Sequence, residues 1–318
     1  MGAGRALPVS LPRLQPAQRT SSRKESIMIR IAKIFSLLFT LLLLGACNTT
    51  QTRSGDAPVL SRIAHKGELV LGTSANMEPM NYRREDGKVV GLDIDIARFM
   101  AEAMGVKLTI KTLPFDQLLP ALQRGDVDVV LSNMTITTKR NMKAAFVGPY
   151  MTSGKCIITR NESLAKAEQA ADLNTPATRM VVMKGSTSEQ FVKALLPKAT
   201  ITLVDDPKAG VELVREDQVG GMLTDLPICL ATLRDNPDAG FVSLVSLLSY
   251  EPIGIALPPN DPLLVNWTEN FLARMDATGI LDEIGVHWFG PYAAAIKPLG
   301  AEAAGTKNGK GKKSKTKK

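Results

Sequence analysis

The feature that most constrains the fold is an alternation of short apolar segments with helical segments. Leu69–Gly72 and Val127–Leu131 have the length and the apolar composition of buried strands. Gly91–Met104 and Phe115–Arg124 carry apolar residues at helical spacing, and each is followed by a glycine that can end a helix. Repeated strand–helix–strand units of this kind predict an α/β fold with mostly parallel sheets.

A second series of strands and helices follows the first. The same criteria predict strands at Leu108–Lys111, Cys156–Thr159, Met180–Met183, Ile201–Val204, Gly221–Leu223 and Ile253–Leu257, and helices at Ser188–Leu195, Lys208–Glu216, Pro227–Arg234 and Pro262–Thr278. The pattern favours two α/β units, one of which interrupts the other.

The positive charge of the chain is concentrated at its two ends. The 318 residues have a net charge of +8, but residues 1–46 carry +6 and residues 307–318 carry +7, which leaves −5 for residues 47–306. A nucleic-acid-binding protein carries its basic surface on the fold itself, so we expect no nucleic-acid partner. Residues 293–318 are predicted to be a disordered Lys-rich tail. Weak attraction of this tail to anionic lipid is an alternative role.

The amino-terminal region has the organisation of a secretory signal. Arg30 and Lys33 precede the apolar run Ile34–Leu44, which is short for a membrane span, since a spanning helix needs about 20 apolar residues. We interpret residues 1–46 as the signal region. Within it, residues 1–27 are interpreted as an extension upstream of the true start.

The signal region ends at a motif for lipid attachment. Leu44-Gly45-Ala46-Cys47 resembles a bacterial lipobox, which implies cleavage before Cys47 and lipidation of its thiol. An uncleaved signal anchor is the alternative. Residues 47–58 are polar and lack periodicity, so they are predicted to be a lipidated tether between the membrane and the fold.

The remaining cysteines and the histidines indicate no metal and no cofactor. Cys156 and Cys229 could pair in an oxidising compartment, but the sequence does not show that they approach each other, and we expect two buried free thiols. His65 and His287 do not stand at metal-ligand spacing.

Nine segments, in chain order, resemble the polar amino-acid binding proteins of ABC importers. The resemblance covers roughly Val59 to Gly290. It rests on Leu69–Gly72 followed by Pro79, Gly91–Ala97, Leu119–Leu122 with Gly125–Asp128, Met134–Thr137 with Arg140, Pro149-Tyr150, Lys184–Thr187, Thr224-Asp225, Tyr250–Ala256 and Trp288–Gly290.

The resemblance implies a two-lobe, Venus-flytrap fold of the type II periplasmic-binding class, with two crossing hinge segments. Residues 59–150 plus 253–292 would form lobe 1 and residues 155–249 lobe 2, with crossings near Met151–Lys155 and Ser249–Pro252. It also implies a monomeric, extracytoplasmic lipoprotein, periplasmic or on the cell surface, that binds an amino acid. The protein would deliver this ligand to an ABC permease and its ATPase.

A zwitterionic ligand needs a cation for its carboxylate and acceptors for its ammonium group. Arg140 can bind a carboxylate through two parallel hydrogen bonds, and it follows a buried strand, where open α/β sheets place ligands. By resemblance Arg140 holds the ligand carboxylate, Thr135 adds a hydroxyl, and backbone groups near Asn133 contribute to ammonium binding. A surface charge at a helix start is the alternative for Arg140.

Two further polar residues lie at strand-to-helix junctions. By resemblance Asp225 accepts hydrogen bonds from the ligand ammonium, although an ordinary helix N-cap would also explain an aspartate before Pro227. Relatives usually carry an acidic residue where Gly220 or Gly221 falls. Thr187, in the segment Lys184–Thr187, could meet the ligand carboxylate at a helix N-terminus, a role compatible with capping by Ser186.

Three residues are candidates for the pocket of the ligand side chain. Phe115 matches a family aromatic that packs on the ligand, although an aromatic at a helix start is often part of the core. Met77 stands where many relatives carry an aromatic, and Ser74 where some carry a polar or acidic residue. The sequence does not identify the amino acid.

Two other classes of protein use the same fold. A periplasmic enzyme of the dehydratase type would need an acid–base residue, and Glu78 is the candidate for it. A ligand-sensing domain would normally continue into a membrane-spanning signalling segment. We expect binding without chemistry, since neither cysteine is set beside a histidine that could activate it.

Overall fold

The computed structural model describes residues 58–165 and 170–292. The signal region, Cys47 and the Lys-rich tail lie outside these residues, as does the tether except for Pro58, which begins the first helix. In the described part, no helix has the length and apolar character needed to cross a membrane.

Eleven strands and eleven helices make up the described residues. The strands are β1 Glu68–Thr73, β2 Asn76–Met77, β3 Asn81–Arg83, β4 Val89–Val90, β5 Lys107–Thr112, β6 Val129–Val130, β7 Ala145–Thr159, β8 Arg179–Met183, β9 Thr200–Val204, β10 Gly221–Asp225 and β11 Val242–Leu257. The helices are α1 Pro58–Lys66, α2 Leu92–Met104, α3 Phe115–Arg124, α4 Thr138–Asn141, α5 Glu162–Ala165, α6 Ala170–Leu173, α7 Thr187–Leu195, α8 Pro207–Arg215, α9 Leu226–Asp235, α10 Pro262–Ala277 and α11 Ile280–Phe289, before a 3-10 turn Gly290–Tyr292.

The main sheet of the described residues is mixed: four of its seven neighbouring strand pairs are parallel, the arrangement that the strand–helix pattern predicted, and three are antiparallel. Its eight strands run in the order β5-β1-β6-β11-β7-β10-β8-β9. The two groups of short strands are parallel within themselves, but the long strands β7 and β11 pair antiparallel in the middle. Only the ends of these long strands were predicted, because their central residues lack a continuous apolar pattern.

The structure has two lobes. The first is built around β1, β5 and β6 with α1 to α4, α10 and α11, and its core contains fully buried residues such as Leu69, Ile94 and Leu118. The second is built around β8, β9 and β10 with α7 to α9, and its core is divided between two smaller clusters. β7 and β11 join the lobes through pairs such as Glu251 with Ser153. The two-lobe α/β fold is therefore confirmed, while the residue bounds given above for each lobe stay predictions.

Helix ends follow the local sequence closely. α3 has the predicted bounds, and Gly125 ends it in the left-handed conformation. Gly91, directly before α2, has a φ of 133°, and a Cβ atom there would collide with the carbonyl of Met80. This position therefore requires glycine, and the close approach fixes where Asp93 enters the interior.

The expectation of two free thiols is wrong. Cys156 and Cys229 form a disulfide, with their Cα atoms 6.6 Å apart and a sequence separation of 73. β10 pairs with β7 so that Thr224 lies beside Cys156. The chain then turns into α9, which carries Cys229 back over β7. Sequence patterns do not reveal this packing of a helix on a strand.

Candidate functional site

Arg140 lies between the two lobes and is not a surface charge. It belongs to the short helix α4 after β6, where Thr137 Oγ1 accepts the Arg140 N–H at 3.2 Å. The side chain is 7% exposed. Its Nη1 donates to the carbonyl of Thr135 at 2.7 Å, and its Nη2 donates to the carbonyl of Gly185, in the second lobe, at 3.2 Å.

The guanidinium of Arg140 has no carboxylate partner among the described residues. Its central carbon lies 5.4 Å from the ring centroid of Phe115. Burial lowers the pKa of Arg140 to about 10, against the opposing effect of the nearby carboxylates Asp225 and Glu251. A buried cation held by two carbonyl oxygens is costly without an anion, so this position is suited to receive one.

Asp225 occupies the N-cap position of α9 but makes no capping hydrogen bond with its side chain. Its Oδ1 instead accepts from the ammonium of Lys155 at 2.5 Å, and its Oδ2 accepts from Asn133 Nδ2, in the first lobe, at 3.1 Å. The carboxylate therefore faces the cleft, and N-capping does not explain it.

Lys155 and Glu251 form a centre that sequence reasoning missed. Lys155, on β7, is 2% exposed, and its Nζ donates to Thr187 Oγ1 at 2.6 Å and lies 3.5 Å from Glu251 Oε2. The same Glu251 oxygen accepts from Thr135 Oγ1 at 2.8 Å and from Thr187 Oγ1 at 3.0 Å. Glu251 thus contacts both lobes from the hinge strand β11. A lysine inside an apolar strand was the sequence signal for this centre.

Asn133 is held in an uncommon backbone conformation at the edge of the cleft. Its φ is 48°, and its N–H donates to Asp93 Oδ2 at 2.8 Å. Its Oδ1 is buried without a hydrogen-bond partner among the described residues. A ligand N–H group is the natural partner for such an oxygen.

Asp93 is buried next to Asn133 and holds it in place through the hydrogen bond from the Asn133 N–H. Besides Asn133, it accepts from Tyr150 Oη at 2.5 Å and from Asn81 Nδ2 at 2.7 Å. Burial raises the pKa of Asp93 to about 6, although these three hydrogen bonds act in the opposite direction. Asp93 was part of the resemblance, but no role had been inferred for it.

The other predicted residues are divided between cleft and core. Ser74 Oγ donates to Asn81 Oδ1 at 3.0 Å, which links it to the support of Asn133. Thr187 begins α7, and Ser186 caps this helix by accepting the Glu189 N–H at 3.1 Å, as predicted. Met77 is 1% exposed and packs in the core of the first lobe.

Further contacts bridge the lobes, so the cleft is closed. Lys184 pairs with Asp116 at 2.9 Å, and Asn76 Nδ2 donates to the carbonyl of Asp205 at 3.2 Å. Arg234 on α9 pairs with Glu78 in the first lobe, with 2.7 Å between Nη2 and Oε1.

Glu78, the candidate acid–base residue, thus has both an ion-pair partner and a hydrogen-bond donor. Besides Arg234, its Oε1 accepts from Tyr292 Oη at 3.2 Å. Within the described residues, no group of histidine, cysteine and carboxylate side chains could hold a metal ion.

Comparison with known proteins places these features in a family. A model described as bacterial extracellular solute-binding proteins, family 3, matches residues 69–291. The cyclohexadienyl dehydratase of Pseudomonas aeruginosa is 27% identical over 233 residues, 72% of this chain and 85% of that protein. The L-cystine-binding protein of Escherichia coli K12 is 24% identical over 235 residues, 74% of this chain and 87% of that protein.

A solved structure resembles the whole two-lobe fold. It is an ancestral amino acid-binding protein described as a precursor of cyclohexadienyl dehydratase. It has a TM-score of 0.67 and 35% sequence identity, and the match covers 72% of this chain and 99% of that one.

Proposed function

Because the chain belongs to the bacterial extracellular solute-binding proteins, family 3, we propose that it binds an amino acid between its two lobes and delivers it to an ABC importer. The observation that carries this proposal is the guanidinium of Arg140, which pairs with no carboxylate in the part of the chain that the structure describes. It is buried in the cleft and held by two carbonyl oxygens. An incoming carboxylate supplies the missing negative charge and accepts charge-assisted hydrogen bonds.

The opposite side of the cleft supplies acceptors for the ligand ammonium. Asp225 Oδ2 receives one hydrogen bond from Asn133, which leaves acceptor capacity on the carboxylate. The buried Oδ1 of Asn133 is a second acceptor. Phe115, which lies against Arg140, provides an apolar surface for the aliphatic part of the ligand.

Ligand binding favours the closed state because the contacts come from both lobes. Arg140 and Asn133 lie in the first lobe, whereas Asp225 and Thr187 lie in the second. A ligand can shift a conformational equilibrium only through contacts that differ between the two states. A ligand that bridges Arg140 and Asp225 makes both contacts when the lobes are together, so it stabilises closure.

Calorimetric titration of the full chain with the twenty amino acids tests this proposal. We expect one or a few to bind to the native protein. Replacement of Arg140 by Ala should weaken that binding at least ~30-fold, because a charge-assisted contact contributes about 2 kcal/mol. Arg124→Ala is the matched control, since Arg124 is an exposed arginine that pairs with Asp126. Equal affinity in Arg140→Ala and Arg124→Ala would contradict the proposal.

Delivery and anchoring form the second part of the proposal. Lipid on Cys47 would hold the protein at the membrane, and the closed lobes would dock on the permease that its ATPase drives. Cys47→Ala should release the protein from the membrane fraction and leave amino-acid binding intact. Continued membrane association of this variant would favour the uncleaved signal anchor instead.

Dehydration of a cyclohexadienyl compound is a second candidate function, favoured by the similarity to the Pseudomonas aeruginosa enzyme. Loss of water needs a proton donor, but Glu78, Asp225 and Glu251 are all ion-paired. We therefore expect no aromatic product when the chain is incubated with a cyclohexadienyl substrate. If the chain forms the aromatic product and Glu78→Gln abolishes this activity, the protein is an enzyme instead.

A further inference from the structure

The cleft contains a buried lysine that the proposed contacts to the ligand do not use. Lysine is almost never fully buried unless it is paired, and Lys155 is 2% exposed. Its ammonium faces three oxygen atoms, on Asp225, Thr187 and Glu251, at 2.5, 2.6 and 3.5 Å. Of the three N–H donors of the ammonium, two therefore make hydrogen bonds to protein oxygens, and Glu251 adds a second carboxylate at ion-pair distance.

The charges at the centre of the cleft are balanced before any ligand enters. Arg140 and Lys155 are the two cations, and Asp225 and Glu251 are the two carboxylates. A ligand with no net charge preserves this balance, because its carboxylate pairs with Arg140 and its ammonium shares Asp225 with Lys155.

The carboxylates of Asp116, Glu78 and Asp93, near the cleft, are engaged by protein groups, and the exposed Asp205 lies near Lys184. Asp116 is paired with Lys184, and Glu78 is paired with Arg234. Asp93 is enclosed behind Asn133, where it accepts three hydrogen bonds from protein groups.

We propose that Lys155 is a built-in counter-ion that restricts the ligand to amino acids with an uncharged side chain. This inference rests on the proposed function and narrows its substrate class. A cationic side chain would bring a fourth positive charge, after Arg140, Lys155 and the ligand ammonium, to a buried centre whose three carboxylates, counting that of the ligand, are already paired. An acidic side chain would bring a second carboxylate to a single unpaired guanidinium. Either leaves a charge buried and uncompensated, which is costly.

The binding preference of the unmodified chain gives the first test. The full chain is titrated by calorimetry with the twenty amino acids and with citrulline, which resembles arginine in length but has an uncharged side chain. We expect the tightest ligand to have an uncharged side chain, with glutamine bound more tightly than glutamate and citrulline more tightly than arginine. Tightest binding of arginine, lysine, glutamate or aspartate would overturn the inference and leave the proposed function standing. Binding of no amino acid would overturn the proposed function itself.

Two variants that move the charge of the cleft in opposite directions give the second test. Lys155→Met leaves the cleft with one excess negative charge, so affinity for arginine relative to citrulline should rise at least about tenfold, because like charges in a binding site cost several kcal/mol. Glu251→Gln leaves one excess positive charge, so affinity for glutamate relative to glutamine should rise instead. An unchanged charge preference in both folded variants would overturn the inference. Circular dichroism checks the fold of each, and if Lys155→Met does not fold, Glu251→Gln decides.

Discussion

Two buried cations lie in the same cleft, and their surroundings differ. Lys155 has two carboxylates and a hydroxyl within reach of its ammonium, whereas Arg140 has two carbonyl oxygens and an aromatic ring. Protein carboxylates pair with the first cation, whereas the second has no carboxylate partner among the described residues. We therefore interpret Lys155 as a cation that stabilises the closed cleft and Arg140 as the cation that binds the ligand.

Replacing each cation by methionine should give the largest difference in stability between the two positions. Lys155→Met leaves two buried carboxylates without a cation, and removal of one partner from a buried ion pair costs roughly 3–5 kcal/mol. Arg140→Met removes a cation that has no ion-pair partner, so it should change the free energy of unfolding far less. Urea denaturation of the unliganded proteins, read by circular dichroism, measures both values. Equal losses of stability would mean that Arg140 is also a structural charge.

The buried carboxylate of Asp93 extends the comparison from buried cations to a buried anion. Burial raises its pKa from 3.8 to about 6, so between these values the folded protein binds more protons than the unfolded chain. The contribution of Asp93 to stability therefore falls as pH rises through this window, by up to ~3 kcal/mol, and the penalty is fully present above about pH 6.

Asp93→Asn removes this titration. The stability of the variant relative to the unmodified chain should therefore increase as pH rises from 4 to 6.5, whatever fixed cost the altered hydrogen bonds bring. Thermal unfolding across this pH range gives the difference between the two proteins. Parallel stability curves would show that Asp93 does not titrate in this window.

The ion pair at the edge of the cleft should have the smallest effect. Arg234 is 36% exposed and Glu78 18% exposed, and pairs of this kind contribute about 0–1 kcal/mol. If the pair helps to hold the lobes together, Glu78→Gln should weaken ligand affinity by up to about fivefold, as measured by calorimetry. Arg84→Ala is the control, since it breaks an exposed pair with Asp86 in one lobe. A loss equal to that of Arg140→Ala would place Glu78 among the ligand contacts.

Local patterns in the sequence predicted the short strands of the main sheet and six of the helices, but not the small sheet β2–β4 or the helices α1, α4, α5, α6 and α11. The helix Phe115–Arg124 was predicted with its observed bounds because its apolar spacing and its terminal glycine agree. The long strands β7 and β11 were predicted only at their ends, and the antiparallel pairing between them was missed. Pairing between distant segments depends on tertiary packing, which a local pattern does not contain.

The candidate site was predicted where a motif and a chemical argument coincided. Arg140 and Asp225 were identified from resemblance and from their positions after strands, and both face the cleft. Lys155 and Glu251 were not identified, because their roles arise from contacts between β7, β11 and both lobes. The Cys156–Cys229 disulfide was missed for the same reason.

The central claim is that Arg140 binds the carboxylate of an amino acid. Its most direct test is a thermodynamic cycle that combines Arg140→Ala with the removal of the ligand charge. The tightest amino-acid ligand and its amide, in which a carboxamide replaces the carboxylate, are titrated against both proteins by calorimetry. We predict that the unmodified chain binds the amide at least ~30-fold more weakly than the amino acid, and that Arg140→Ala binds the two equally weakly. Undiminished preference for the amino acid in Arg140→Ala would contradict the account.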